Sequence, residues 1–156
     1  MYKAIVFDVD GTVVDTRFIL DACRDAYHDV TGKQLSDETC DVMYGSPAAA
    51  AQHLMGLNDE EFAVYGKHFM SYLPKYLPKQ KLFDGIRECM EQCRQLGLIV
   101  AINTSRTVDG AYEAAASLEW NFAEFCDHVI GCDLVENPKP APDSLLYLGK
   151  LCGLTM

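Results

Sequence analysis

Two carboxylates separated by one residue, Asp8 and Asp10, follow a short apolar segment near the start of the chain. That segment, residues 4–7, is typical of a strand buried on both faces of a parallel sheet. Gly11 and Thr12 come next and favour a tight turn. One carboxylate can act as a nucleophile and the other can donate or accept a proton. Because open α/β sheets bind ligands at the carboxyl ends of their strands, the sequence predicts a reactive site here.

Two further polar clusters follow a predicted strand or open a predicted helix. Thr104, Ser105 and Arg106 come directly after an apolar segment that includes residues 98–102, and Lys139 lies in a proline-rich segment. Parallel strands bring their carboxyl ends to one edge, so we expect these clusters to converge with the carboxylate pair. A carboxylate, a hydroxyl and a lysine suit phosphoryl transfer, in which the protein positions groups and neutralises charge.

The periodicity predicts a helical insertion within an α/β fold. Residues 16–77 show apolar positions at helical spacing, and Pro74 and Pro78 are expected to close this block. Outside it, predicted strands alternate with helices, which indicates a doubly wound parallel, Rossmann-like sheet. We therefore predict an α/β core of residues 1–15 and 78–156 and an inserted α-helical cap of residues 16–77. Helix start and stop signals inside the insertion are Gly32, Ser36 and Asn58.

The composition excludes several classes of partner and location. Thirteen basic and 23 acidic residues give a net charge of −10, and without a basic cluster we expect no nucleic-acid partner. The seven cysteines form no CxxC motif, which favours a reducing, cytoplasmic setting. No apolar stretch has the length of a membrane span and no targeting segment is evident, so we expect no membrane association.

The order of these motifs resembles that of the haloacid dehalogenase superfamily, in the subclass with a helical cap inserted after the first motif. The resemblance rests on DxDGT at residues 8–12, a strand leading to Thr104, and Lys139 in a KPxPD setting. It extends over nearly the whole chain and is closest in kind to phosphoglycolate phosphatases. It implies a magnesium-dependent phosphatase that acts on small phosphate monoesters.

The resemblance also implies a role for each motif residue. Asp8 would attack phosphorus and form an aspartyl-phosphate, while Asp10 would protonate the leaving oxygen and then activate water. The Asp8 carboxylate and the Asp10 backbone carbonyl would hold Mg²⁺, which prefers oxygen ligands. Thr104 would hydrogen-bond the phosphoryl group and Lys139 would balance its charge. The expected phosphate-binding residues are completed by Gly11, Thr12, Ser105 and Arg106.

Several positions bear on the substrate, which we expect to be a small phosphorylated metabolite. Asp10 favours phosphate monoesters, because their leaving group needs a proton. Related sugar-phosphate mutases would be expected to have a histidine where this chain has Leu20, and an arginine within residues 45–48, where it has none. The Gly-Ser-Pro segment at residues 45–47 is more typical of small-molecule phosphatases. A sugar-phosphate phosphomutase is therefore the alternative prediction.

A fourth motif implied by the resemblance is missing. It would place one or two aspartates on a strand after Lys139, and residues 140–156 contain no such strand. We therefore expect a C-terminally incomplete core, an exposed edge on the strand over residues 2–7, and impaired phosphatase activity. A truncated chain and a chain completed by a partner both remain open. A further alternative is a non-catalytic fragment that acts as an oligomerising or interaction module by self-association through that edge.

Overall fold

The computed structural model of the protein describes residues 2–46 and 48–154, and its internal contacts divide them into two units. The α/β unit contains the described residues up to Val14 and those from Lys81 onward, and the helical unit is Asp15–Gln80. Pro47, part of the predicted break at residues 45–47, lies outside the described residues. The assignment of the units as a catalytic core and a cap stays a prediction.

Thirteen strands and α-helices are found in the described part of the chain. In chain order they are β1 (Ala4–Phe7), β2 (Val14–Asp15), α1 (Ile19–Thr31), α2 (Asp37–Met43), α3 (Ala48–Met55), α4 (Asp59–Tyr76), β3 (Lys81–Leu82), α5 (Ile86–Gln95), β4 (Ile99–Asn103), α6 (Val108–Ala116), α7 (Phe122–Phe125), β5 (His128–Ile130) and α8 (Asp143–Leu151). Two 3₁₀ turns cover Leu77–Lys79 and Cys132–Leu134.

The main sheet has three parallel strands in the order β1-β4-β5. Ala4 pairs with Ile99, and Ala101 pairs with His128, so the carboxyl ends of all three strands lie at the same edge. The predicted parallel α/β fold is confirmed. Within the described residues β1 has a strand partner on one side only, and the short strands β2 and β3 form a separate two-stranded sheet.

Strand β4 carries the core of the α/β unit because both of its faces are covered. Val100 and Ile102 are fully buried on one face, in a cluster that includes Met90 of α5 and Phe122 of α7. Ala101 faces the other way, where its cluster includes residues of β5 and α8. Helices therefore pack on both faces of the sheet, as a doubly wound fold requires.

The helical unit has a core of its own and conventional helix ends. Its buried cluster draws on all four helices, with Leu20, Cys40, Met55 and Tyr65 among its members. The three end signals are confirmed. Gly32 ends α1 in the left-handed conformation at φ 68°, Ser36 accepts a hydrogen bond from the N–H of Thr39, and Asn58 forms a reciprocal capping box with Glu61.

The prediction that Pro74 closes the helical block is wrong, because α4 continues through it to Tyr76. A proline in this position deletes the hydrogen bond to the carbonyl of Met70, one turn earlier. Met70 is 64% exposed, so water can replace that bond. Neither α4 nor any other helix in the described part of the chain has the length and apolarity needed to cross a lipid bilayer.

Candidate active site

The loop that carries the two carboxylates is anchored in the core of the α/β unit. Val9, Val13 and Val14 are fully buried, and the carbonyl of Val9 accepts hydrogen bonds from the N–H groups of both other valines at 2.9 Å. Gly11 supplies the turn with φ 78°, a left-handed conformation that glycine adopts without strain. Asp10, which lies between Val9 and Val13 in sequence, is therefore part of a loop that is anchored at the carboxyl end of β1.

Asp8 forms an ion pair with Lys139, which lies 131 residues later in the chain. The Lys139 Nζ donates to Asp8 Oδ1 at 2.9 Å and to the main-chain carbonyl of Asn103 at 2.7 Å. The N–H of Val9 donates to the same Asp8 oxygen at 2.9 Å. The ammonium group has three donors, so one remains for a ligand, and the pair joins the ends of β1 and β4.

Asp10 forms a two-point ion pair with Arg106. The Arg106 Nε donates to Oδ2 at 2.8 Å, and Nη2 donates to Oδ1 at 2.7 Å. The hydrogen bonds to Asp10 raise the pKa of the Arg106 guanidinium above its ordinary value. Parallel bonds of this kind between ionised groups are stronger and more directional than neutral ones. The structure thus places Arg106 on the second carboxylate.

Thr104 is the other predicted site residue at the end of β4, and it is buried. Its N–H donates to the carbonyl of Ile130 at 3.0 Å, and its Oγ1 accepts from the N–H of Arg106 at 3.1 Å. These bonds hold the threonine between β4 and β5. The three remaining predicted residues are exposed and lie in loops next to these strand ends: Gly11, Thr12 and Ser105.

The sequence reasoning missed one residue that contributes to this site, Asn103. It is buried at the end of β4, and its carbonyl holds Lys139. Its side-chain Oδ1 is buried without a hydrogen-bond partner among the described residues. The signal was a polar residue closing an apolar strand, because such a residue is costly to bury unless a partner satisfies it.

The donor set at this sheet edge fits a magnesium ion in part. In the described residues, no hydrogen bond ends on Asp8 Oδ2 or on the main-chain carbonyl of Asp10. Two protein oxygens with water completing the shell are common for Mg²⁺. No group of three or more His, Cys, Asp or Glu side chains able to hold a metal occurs in the part of the chain that the structure describes.

The arrangement as a whole has the parts needed for phosphoryl transfer. Asp8 offers a carboxylate that can act as a nucleophile, and Lys139 places a cation against it. The buried Thr104 offers a hydroxyl at the end of the neighbouring strand β4. Asp10 offers a second carboxylate two residues along the chain. A transferring phosphoryl group carries its charge on equatorial oxygens, and positioned cations and donors stabilise that charge.

Comparisons with known proteins agree with this chemistry. The family model described as haloacid dehalogenase-like hydrolase matches residues 5–155. An N-acetylmuramic acid 6-phosphate phosphatase of Pseudomonas aeruginosa is 30% identical over 97% of this chain and 69% of its own length. A phosphoglycolate phosphatase of Pseudomonas savastanoi is 26% identical over 97% of this chain. The chain spans 58% of the length of that second relative.

Solved structures share the fold at low sequence identity. A haloacid dehalogenase-like hydrolase from Streptococcus pneumoniae superposes with a TM-score of 0.77, covering 98% of this chain and 71% of its own. Its sequence is 21% identical, so the likeness concerns the fold alone.

Proposed function

Because the chain belongs to the haloacid dehalogenase-like hydrolase family, we propose that it hydrolyses small phosphate monoesters at the edge of the sheet where Asp8 and Asp10 lie. The observation that carries the proposal is the pairing of Asp8 with Lys139, because a cation held against a nucleophilic carboxylate is poised to meet a phosphate. The relatives named as phosphatases support the same class of substrate.

In the proposed first step, the Asp8 carboxylate attacks phosphorus and the bond from phosphorus to the leaving oxygen breaks. For this step Asp10 must be protonated; it gives that proton to the leaving oxygen, and an aspartyl-phosphate is left on Asp8. In the second step Asp10 takes a proton from water as the water oxygen attacks phosphorus, and Asp8 is released. Lys139 and Thr104 neutralise and orient the phosphoryl oxygens in both steps.

We further propose that the Asp8 carboxylate and the Asp10 carbonyl hold Mg²⁺ there. When bound, the ion would add positive charge against the phosphoryl oxygens. Chelation with EDTA should stop phosphate release, and added Mg²⁺ should restore it. Release that persists unchanged in EDTA would rule out this part of the proposal.

Hydrolysis is favoured over phosphoryl transfer between sugar positions. Leu20 occupies the position where mutases of this type would be expected to carry a histidine, and it is buried in the core of the helical unit. An apolar side chain packed there cannot exchange a proton with a sugar hydroxyl. Product analysis of a sugar phosphate should therefore yield inorganic phosphate and no isomer.

The proposal is tested by phosphate release from a panel of small phosphate monoesters with Mg²⁺. Asp8→Asn should reduce release by at least about a thousandfold, because an amide is a poor nucleophile and no covalent intermediate forms. Asp84→Asn is the matched control, since it removes an exposed carboxylate of the same unit that has no described side-chain partner. Wild-type rates in Asp8→Asn would disprove the assignment of the nucleophile.

A second proposal concerns self-association of the chain. Among the described residues β1 has no strand partner on its outer side, and its Val6 is 38% exposed. Such an edge can pair with a second copy of the chain. Sedimentation velocity should show a dimer that Val6→Lys weakens, whereas a monomer at all concentrations would disprove it.

All seven cysteines are free, which supports a cytoplasmic setting.

A further inference from the structure

We propose that Arg106 is a positioning residue for Asp10 and does not bind the substrate phosphate. Its guanidinium fixes the plane of the Asp10 carboxylate, so that the remaining lone pairs of that group point in constant directions for proton transfer. The inference rests on the proposed function, because it concerns the acid–base step of that reaction.

The clamp is itself held firmly by the ends of two strands. The N–H of Arg106 donates to Thr104 Oγ1 at 3.1 Å, and its carbonyl accepts from the N–H of Cys132 at 2.9 Å. Both main-chain polar groups of the arginine are therefore occupied next to β4 and β5. The guanidinium extends from this fixed base to Asp10, which lies 96 residues away in sequence.

The two-point contact leaves Asp10 able to exchange a proton. Each carboxylate oxygen has two acceptor sites, and the arginine fork uses one on each oxygen. Without the fork, the terminal torsion of an aspartate is broad and nearly two-fold. In the described residues no other side chain bonds to the Asp10 carboxylate. Arg106 is thus the group that sets its orientation.

The same geometry argues against a phosphate-binding role. Two of the five guanidinium N–H donors are committed to Asp10, and this bidentate contact fixes the plane of the group there. Lys139 already brings a cation to Asp8 with one donor to spare. A lysine in place of Arg106 would keep the charge but lose the planar fork. A phosphate ligand would tolerate that exchange far better than an orientation clamp would.

The test compares two substrates that depend differently on proton donation. 4-Nitrophenyl phosphate has a good leaving group, whereas glycerol 2-phosphate needs its leaving oxygen protonated. General acid–base catalysis contributes about 10²–10⁴-fold, so we expect Arg106→Ala to lose about 10- to 100-fold in kcat/KM for glycerol 2-phosphate and less than about threefold in kcat/KM for 4-nitrophenyl phosphate. The comparison uses kcat/KM because that quantity covers the first step alone and leaves out the attack of water, in which Asp10 serves both substrates. Arg106→Lys should not recover the glycerol 2-phosphate rate. Equal losses on both substrates, or recovery by lysine, would overturn the inference.

Arg94→Ala is the matched control, since it breaks another arginine–aspartate pair of the same unit, with Asp127 at 3.6 Å. It should change the rates on both substrates equally. A selective loss in this control would also count against the clamp.

A spectroscopic measurement separates failure of this inference from failure of the proposed function. The Nε–H signal of Arg106 in a ¹⁵N-correlated NMR spectrum should be shifted and protected in the wild type and should change in Asp10→Asn. If no ester is hydrolysed, the phosphatase proposal fails and this signal alone decides the clamp. A signal that is insensitive to Asp10→Asn would overturn it.

Discussion

In the helical unit two ion pairs have mostly exposed lysines, whereas in the α/β unit two pairs with half-buried cations meet at the end of the sheet. Lys75 and Lys79, which pair with aspartates of α1, are 58–59% exposed. Lys139 and Arg106 are 30% and 35% exposed. The partners of both lysines lie on α1, and a half-buried pair of the helical unit, Arg24 with Asp21, lies within that one helix. The two pairs at the sheet end join residues that are 96 and 131 positions apart in the chain.

The difference in exposure between these cations implies a difference in the free-energy cost of forming the pairs. Exposed ion pairs contribute about 0–1 kcal/mol to stability, and their charged groups keep most of their hydration when the pair forms. Partly buried charges lose solvation that their mutual attraction only partly returns. The proposed reaction, which needs positioned charges, would account for that cost at the end of the sheet.

The largest effect expected from this comparison follows removal of Lys139. Lys139→Met should reduce phosphate release by about 10²–10³-fold, the usual cost of losing one group that stabilises transition-state charge. It should also lower the free energy of unfolding by about 1–3 kcal/mol, because the buried Asn103 carbonyl loses its donor. Phosphate assays and urea unfolding measure the two effects.

Lys75→Met in the helical unit is the counterpart of that variant. Its ammonium pairs with Asp25 at 2.9 Å but is 59% exposed, so this variant should lose less stability than Lys139→Met. Equal stability losses in the two variants would remove the distinction drawn between the units.

The sequence predicted the fold better than it predicted the contacts among the polar residues at the end of the sheet. The apolar strands, the helical spacing and the caps at Ser36 and Asn58 are local signals, and the structure agrees with them. The placement of Arg106 on Asp10 depends on loops that meet only after folding, so spacing could not reveal it. The resemblance led instead to a phosphate role for Arg106.

Local signals failed where tertiary context compensates for a poor local choice. Pro74 is a strong helix breaker, yet it lies close enough to the end of α4 that one lost hydrogen bond is tolerated. Asn103 would look unfavourable in a buried strand, because the contact of its carbonyl with Lys139 arises from a distant loop. Both cases require knowledge of neighbours that the sequence does not list side by side.

A smaller expected effect compares one glycine in each unit, because the two glycines have different space around them. Gly131 follows β5, and a Cβ placed there would clash with the main-chain nitrogen of Val108 and with the Asp133 carboxylate. Gly131→Ala should therefore lower the free energy of unfolding by about 1–3 kcal/mol. Gly66 lies within α4 with open space around it, and Gly66→Ala should raise it by about 0.5–1 kcal/mol.

Urea unfolding followed by circular dichroism measures both glycine variants. The opposite signs are the decisive result, since both substitutions add the same methyl group. A stabilised Gly131→Ala would mean that the turn after β5 is less tightly packed than the structure indicates.

The smallest effect concerns the pH dependence of the helical unit. Asp25 accepts hydrogen bonds from the Tyr76 hydroxyl at 2.6 Å and from Lys75 at 2.9 Å, and these bonds, the tyrosine first, lower the pKa of its carboxyl group below the ordinary value. A depressed folded-state pKa stabilises the fold at pH values above the unfolded pKa of about 3.9. That contribution is lost as the pH falls through the lower folded-state value.

Asp25→Asn should therefore lower the free energy of unfolding by about 1 kcal/mol at pH 7, and the difference from the wild type should shrink below about pH 4. Glu38→Gln, which removes an exposed carboxylate without a described side-chain partner, should change stability by less than about 0.5 kcal/mol at pH 7. Urea titrations between pH 3 and 7, set at roughly one-unit steps around the ordinary carboxyl range, provide the measurement. A deficit in Asp25→Asn that grows as the pH falls would show that the α1–α4 contacts do not hold this carboxylate ionised. The contacts of Asp25 with Tyr76 and Lys75 would then not stabilise the helical unit.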